Sequence, residues 1–219
     1  MKNVVLLSAF FATICFQSSA QFLLGPQAGL DLATVTGTSF SVSMKPGWNA
    51  GFFVSIPISK HFSLMPAALY SMRGFKYTSD STATPTKDTT IQTTVDVNAT
   101  LGYLDIPVLF TYFFQETKGF MLQAGPEISF LMTDQSTIST TVKINGTATN
   151  PTNSNTIAFQ KSDISLVGGI GYKFPQLLIL YARVSTGFAK AQSGSYVSDA
   201  NSGHNFVFEA GAALSFGGK

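Results

Sequence analysis

The chain has 219 residues and a net charge of +2, with 11% of residues charged and 45% hydrophobic. Soluble domains carry about 25% charged residues, so this chain is unusually apolar, and with no basic run it excludes an electrostatic case for nucleic acid. Its one cysteine, Cys15, sits in an N-terminal apolar run, which excludes disulfides and thiolate chemistry from everything that follows.

That N-terminus reads as a secretory leader. Lys2 precedes a mostly apolar run over residues 4–16, and the small residues Ser18 and Ala20 mark a cleavage site after Ala20. Residues 1–20 are therefore expected to be removed and residues 21–219 to form one domain. After Ala20 no stretch approaches the ~20 apolar residues that a transmembrane helix needs, so any membrane crossing is made by strands.

Alternation carries the rest of the reading, because side chains two apart share a face of a strand. Residues 24–34 set Leu24, Ala28, Leu30 and Leu32 against Gln27, Gly29 and Asp31. Residues 48–58 set Trp48, Ala50, Phe52, Val54 and Ile56 against Asn49, Gly51, Phe53 and Ser55, and a tight turn at residues 59–61 follows. Residues 62–73 form a third strand, with Phe62, Leu64, Ala68, Tyr70 and Met72 opposite Ser63, Ser71 and Arg73. The parity changes at Gly74, which predicts a bulge there.

Residues 78–94 are a tract in which ten of seventeen residues are Ser or Thr, too polar to pack a core and so a loop or a solvated strand extension. Ile91, Val95, Val97 and Ala99 keep alternating and favour an extension. The fourth strand places Leu104, Ile106, Val108, Phe110, Tyr112 and Phe114 opposite Asp105, Pro107 and Thr111. After a short turn at residues 115–118, residues 119–132 set Phe120, Leu122, Ala124, Ile128 and Phe130 against Gln123, Gly125, Glu127 and Ser129. Residues 133–160 are the longest polar insert, with a further strand hint at Ile138, Thr140, Val142 and Ile144. Residues 161–188 are a hairpin about Pro175-Gln176, its apolar face led by Ile164, Leu166 and Ile170, then Leu178, Leu180, Ala182 and Val184. Residues 206–216 alternate Phe206, Phe208, Ala210 and Leu214 with Val207, Glu209 and Gly211.

The result is eight strands and no helix, with short turns at 59–61, 115–118 and 175–176 and long polar connections between the others. Each strand offers the ~9–11 residues needed to cross a bilayer at a tilt. Aromatic residues gather near both strand ends: Phe62, Tyr112, Phe114, Phe120, Phe174 and Phe216 by the short turns, Trp48, Phe130, Phe188 and Phe206 by the long loops. The pattern predicts an all-β, eight-stranded antiparallel up-and-down transmembrane β-barrel in the bacterial outer membrane, with short periplasmic turns and long extracellular loops.

The segments GPQAGLDLATVTG (25–37), WNAGFFVSIPIS (48–59), LMPAALYSMRGFKY (64–77), YLDIPVLFTYFF (103–114), LQAGPEISFLM (122–132) and VGGIGYKF (167–174) together resemble the PorT-type outer-membrane β-barrel domain family of Bacteroidetes. The likeness covers nearly all of the chain after the leader, and its most specific blocks are Tyr103–Pro107 and Gln123–Glu127. The resemblance implies an eight-stranded outer-membrane barrel and little about activity; the member that gives the family its name serves a secretion system, and nothing in these residues ties this chain to it.

An eight-stranded barrel is just wide enough inside to be filled by side chains. Its inward parity carries Asp31, Arg73, Asp105, Glu127, Asp163, Lys173, Arg183 and Glu209, which are expected to pair as a polar plug because isolated buried charges are costly. Gly169 and Gly171 lead into no helix and read as relief of crowding inside or as points where the strand bends. No metal-ligand spacing and no cofactor motif occurs. Catalysis would have to use His204, with Ser202 near it and Glu209 further along the strand; His61 lies in a periplasmic turn. The expected function is a non-enzymatic barrel acting structurally or as an interaction platform through its loops, and the alternative is a small transport or lipid-modifying barrel. The expected partners are outer-membrane lipid and lipopolysaccharide, and other outer-membrane or secretion-system proteins.

Overall fold

The computed structural model describes residues 22–36, 43–86, 89–116, 118–148, 152–154, 160–190 and 204–217. The expected leader lies outside the described residues. The strands are β1 Leu23–Thr36, β2 Ser43–Pro57, β3 Phe62–Thr86, β4 Thr89–Gln115, β5 Lys118–Ile144, β6 Thr147–Ala148, β7 Thr152–Ser154, β8 Ser162–Lys173, β9 Leu178–Lys190 and β10 His204–Leu214. Each long strand pairs antiparallel with the next, β5 with β8, and β10 returns to β1. Eight strands thus close into a barrel. The two short strands β6 and β7, which the alternation did not reveal, are paired along β5 within the third long connection.

The exposure pattern shows which face looks where. Along β2, Phe52 is 69% exposed and its neighbour Phe53 only 2%. Leu30, Phe120 and Ile170 are likewise exposed on the outer wall, while Asp31, Asp105 and Thr111 are buried within. A water-soluble barrel would reverse this preference. Here the apolar side chains form an outer belt, as lipid contact requires. No described helix is long and apolar enough to cross a membrane.

The barrel ends differ. At the short-turn end, Ile58 N donates to Phe62 O at 2.8 Å, Gly119 turns with a φ of 78°, and Phe174 N donates to Leu178 O at 2.9 Å. The last of these closes a connection of residues 174–177, longer than the expected two-residue turn. Aromatic side chains crowd this rim, with Phe62–Tyr112, Phe120–Tyr172 and Tyr172–Phe174 ring centroids 5.0, 5.0 and 4.8 Å apart. Trp48 and Tyr70, 5.9 Å apart, mark the opposite rim.

Beyond that rim three strands continue. The β3–β4 ladder runs out to Thr86↔Thr89 and the β4–β5 ladder to Ile91↔Ile144, although β2 meets β3 no further than Lys76 and β8 meets β5 no further than Phe130. The Ser/Thr tract at 78–94 is thus strand on both arms, a three-stranded ribbon standing off the barrel. Asn145 and Gly146, with φ of 49° and 85°, turn β5 into β6; positive φ at both central residues is what an Asn-Gly hairpin supplies.

The bulge expected at Gly74 lies elsewhere. Gly74 pairs regularly with Thr100 on β4, and the irregularity falls opposite it in β2, where the four-residue step from Met44 to Trp48 faces the three-residue step from Phe75 to Met72. The apparent parity change has a different cause: Phe75 stays on the inward face, where it is apolar and buried.

Phe52 lies midway between the two rims on the outer wall. Phe52→Arg is expected to cost about 2–4 kcal/mol, the depth-dependent cost of a cation at the bilayer midplane, in urea unfolding from lipid vesicles. In a water-exposed wall the same change would be near neutral.

Candidate functional site

The barrel interior holds two apolar clusters and a layer of charges. Nearest the short turns lies an apolar layer that includes Phe53, Met65, Leu109, Phe113, Met121 and Ile179. All of these are on the inward parity, so the expected polar plug fills only part of the lumen. At the long-loop end Phe75, Ala99, Leu101 and Tyr103 form a second apolar cluster. The charges sit above the first cluster and beside the second, Arg73 being paired with Leu101.

Arg73 organises this layer. Its guanidinium donates to Asp105, lies 3.8 Å from Asp31 and lies 3.9 Å from Glu127. One side chain from β3 thereby gathers carboxylates from β4, β1 and β5. Asp105 is fully enclosed, accepting also from Ser71 and, at 2.6 Å, from Ser129. Asn49 donates to Asp31 at 2.7 Å. A second cation, Arg183, lies 3.8 Å from Glu209, donates to Gln123 at 2.9 Å and stacks 3.8 Å over the Tyr181 ring.

Six of the eight expected residues therefore share one layer. Asp163 stands apart, accepting from Asn205 at 3.0 Å. Lys173 lies at the short-turn end, 5.8 Å from the Phe113 ring centre. Sequence reasoning did not single out Ser71, Ser129, Asn49, Gln123, Tyr103 or Tyr181. Their shared inward parity with the charges was the available signal.

The four carboxyl groups of the layer, Asp31, Asp105, Glu127 and Glu209, face two guanidinium groups, an excess of two acids. Asp31 Oδ2, Glu127 Oε1 and Glu209 Oε1 make no hydrogen bond to the protein among the described residues. The cations hold the layer by charge more than by hydrogen bonds, which makes Arg73 its least replaceable member.

Space for these side chains comes from glycine. A Cβ at Gly169 would lie 2.7 Å from Arg183 Cγ, and one at Gly187 would overlap the Asp163 carboxylate. At Gly171, the other glycine expected to relieve crowding, a Cβ would overlap Met121 Cε.

Among the described residues no catalytic constellation assembles. His204 opens β10 exposed at the rim, while Glu209, on the same strand, turns into the lumen toward Arg183. Ser202 lies outside the described residues. His61 Nδ1 is 2.8 Å from Phe113 O in its turn. Among the described residues no group of three His, Cys, Asp or Glu could hold a metal ion.

The family model described as "Outer membrane protein beta-barrel domain" matches residues 16–192. No curated protein matches the chain. Among solved structures, Ail, the attachment invasion locus protein of Yersinia pestis, is similar at 7% identity and a TM-score of 0.47, covering 91% of this chain and 100% of its own. Neisserial surface protein A is similar at 12% identity and a TM-score of 0.39, covering 89% and 97%. OprG from Pseudomonas aeruginosa is similar at 10% identity and a TM-score of 0.41, covering 90% and 96%.

Arg73→Met should destabilise the barrel by about 3–5 kcal/mol, because it strands buried carboxylates. Asp105→Asn should cost less, and the double variant should cost clearly less than the two singles summed. Urea unfolding of all four proteins in lipid vesicles checks this; strict additivity would mean that the pair is not coupled.

Proposed function

The chain belongs to the outer membrane protein beta-barrel domain family and resides in the bacterial outer membrane, and from that premise we propose that it is a non-enzymatic barrel that displays a β-ribbon outside the cell for contact with another protein. Its leader is removed on export and its closed lumen serves stability. The observation that carries this reading is the length of β3, β4 and β5, 25, 27 and 27 residues, far beyond the ~9–11 that a bilayer requires.

Order in such a ribbon has to be maintained against solvent, and its composition supports that. Cross-strand pairs Thr78–Asp96 and Asp80–Thr94 are tied by hydroxyl-to-carboxylate bonds of 2.8 and 2.7 Å. A connection needed only to join two strands would not require a laddered extension. The resemblance to PorT-type domains favours a protein partner within an envelope assembly, and the wall itself takes outer-membrane lipid, lipopolysaccharide included, as its solvent. The transport alternative has against it the apolar cluster at the short-turn end of the lumen, and the lipid-modifying alternative has against it the separation of His204 from Glu209.

Deleting residues 133–160 tests the reading. Leu131 N donates to Lys161 O at 2.8 Å, so the cut ends are adjacent and a short turn can join them. The shortened chain is expected to assemble as a heat-modifiable barrel with little change in unfolding midpoint, and to lose the partner cross-linked to the full chain in detergent-solubilised membranes. An unchanged cross-linking pattern would overturn the ribbon's role.

A further inference from the structure

The irregularity in β2 has an effect on the outer wall. It brings Lys45 across the outward face of β3 at Gly74, the position where a side chain would be in the way: a Cβ there would lie 3.0 Å from Lys45 Cδ and would overlap the Ala99 carbonyl. The Lys45 ammonium then reaches β4, donating to Thr100 Oγ1 at 2.7 Å, Asn98 Oδ1 at 2.9 Å and Ala99 O at 3.3 Å. Directly paired with Asn98 across the ladder is Lys76, whose side chain is exposed. Two ammonium groups therefore flank Asn98, that of Lys45 held by three acceptors and that of Lys76 exposed.

Nothing in the wall neutralises them. Among the described residues neither lysine makes an ion pair. Asp96, the nearest acid along the ladder, accepts from Thr78 instead. Because Asn98 Oδ1 and Thr100 Oγ1 accept from Lys45, the Asn98 amide N–H groups and the Thr100 hydroxyl proton remain as donors. Two cations, an amide and a hydroxyl on one face are what a tetrahedral oxyanion takes.

Height on the wall narrows the choice of anion. Tyr70, whose ring lies beside Trp48 at the outer rim, pairs with Leu104, and Thr100 lies four residues further along β4. At about 3.3 Å per residue along a tilted strand this is on the order of 10 Å beyond the rim. Aromatic belts sit at headgroup level, so charged lipid headgroups are found at and just beyond this height.

We propose that Lys45, Lys76, Asn98 and Thr100 form a binding site on the outer wall for the phosphate group of an outer-leaflet glycolipid. The site rests on the reading of the wall as membrane-embedded. Lys45 supplies fixed charge and Lys76 closes over the phosphate.

Trp48, the one tryptophan of the chain, stands at the rim on the order of 10 Å below the site and on the same wall, and its emission is the readout. The full barrel is reconstituted in phosphatidylcholine vesicles, and bisphosphorylated lipid A, dephosphorylated lipid A or inorganic phosphate is titrated while Trp48 emission is followed. Bisphosphorylated lipid A is expected to reach half-response at about tenfold lower mole fraction than the dephosphorylated form, the size of one charge-assisted contact. Lys76→Met should lose most of that preference and the double variant Lys45→Met/Lys76→Met all of it, with heat-modifiability confirming that each barrel is folded. Equal response to both lipids, or full preference retained in Lys76→Met, overturns the site. A lysine-dependent response to inorganic phosphate equal to that with lipid A assigns the site to soluble anions and overturns the lipid. If Trp48 emission does not shift to the blue on reconstitution, the membrane-embedded wall itself is what fails.

Discussion

A strand crossing a bilayer has no solvent to satisfy its backbone, and the architecture follows from that constraint. Each unpaired N–H or C=O in hydrocarbon costs several kcal/mol, on the order of what one buried side chain contributes, so a membrane sheet must have no edge. The return of β10 to β1 meets the requirement, with ten paired positions from Gln27↔Ala213 to Thr36↔His204. Closing on eight strands then fixes the diameter, and the diameter fixes what can lie inside. Where Asp163 and Arg183 are large, Gly187 and Gly169 across from them have no side chain.

Within so narrow a lumen, charge is tolerable only if it is enclosed and answered. Arg73 answers three carboxylates at once, with one apolar cluster on its short-turn side and another beside and above it on β3 and β4. The arrangement strengthens each electrostatic contact and makes each one costly to break. On the function proposed, recognition falls to the ribbon beyond the rim, and the proposed phosphate site to the wall where β2 departs from its register and carries Lys45 over Gly74.

Much of this was legible in the residues, because a period of two is a local property. The outward set from Trp48 to Ile56 and the inward set Asp31, Arg73, Asp105, Glu127, Arg183 and Glu209 follow from counting along one strand. Composition on one face was less legible. Phe53, Phe113, Met65 and Met121 share the inward parity, yet nothing local distinguishes an apolar side chain that faces lipid from one that plugs a lumen. Phe75 showed the same ambiguity, since an apolar residue on the polar face looked like a change of phase. The true irregularity, between Met44 and Trp48, is a mismatch between two strands and has no signature in either alone. The ribbon was half visible: Ile91, Val95 and Val97 alternate, but among so many threonines only the pairing partners on β3 and β5 give that alternation a structure.

The central claim is that the wall faces lipid and the lumen is closed to water. Single nitroxide side chains at positions 49, 50, 52, 53, 54 and 55 of β2, introduced into barrels in lipid vesicles, test both halves at once by collision with oxygen and with a water-soluble nickel chelate. Positions 50, 52 and 54 should be open to oxygen and shielded from nickel, while 49, 53 and 55 should be immobile and shielded from both. Nickel access at 50, 52 and 54 would contradict the lipid-facing wall, and nickel access at 53 and 55 would contradict the filled lumen.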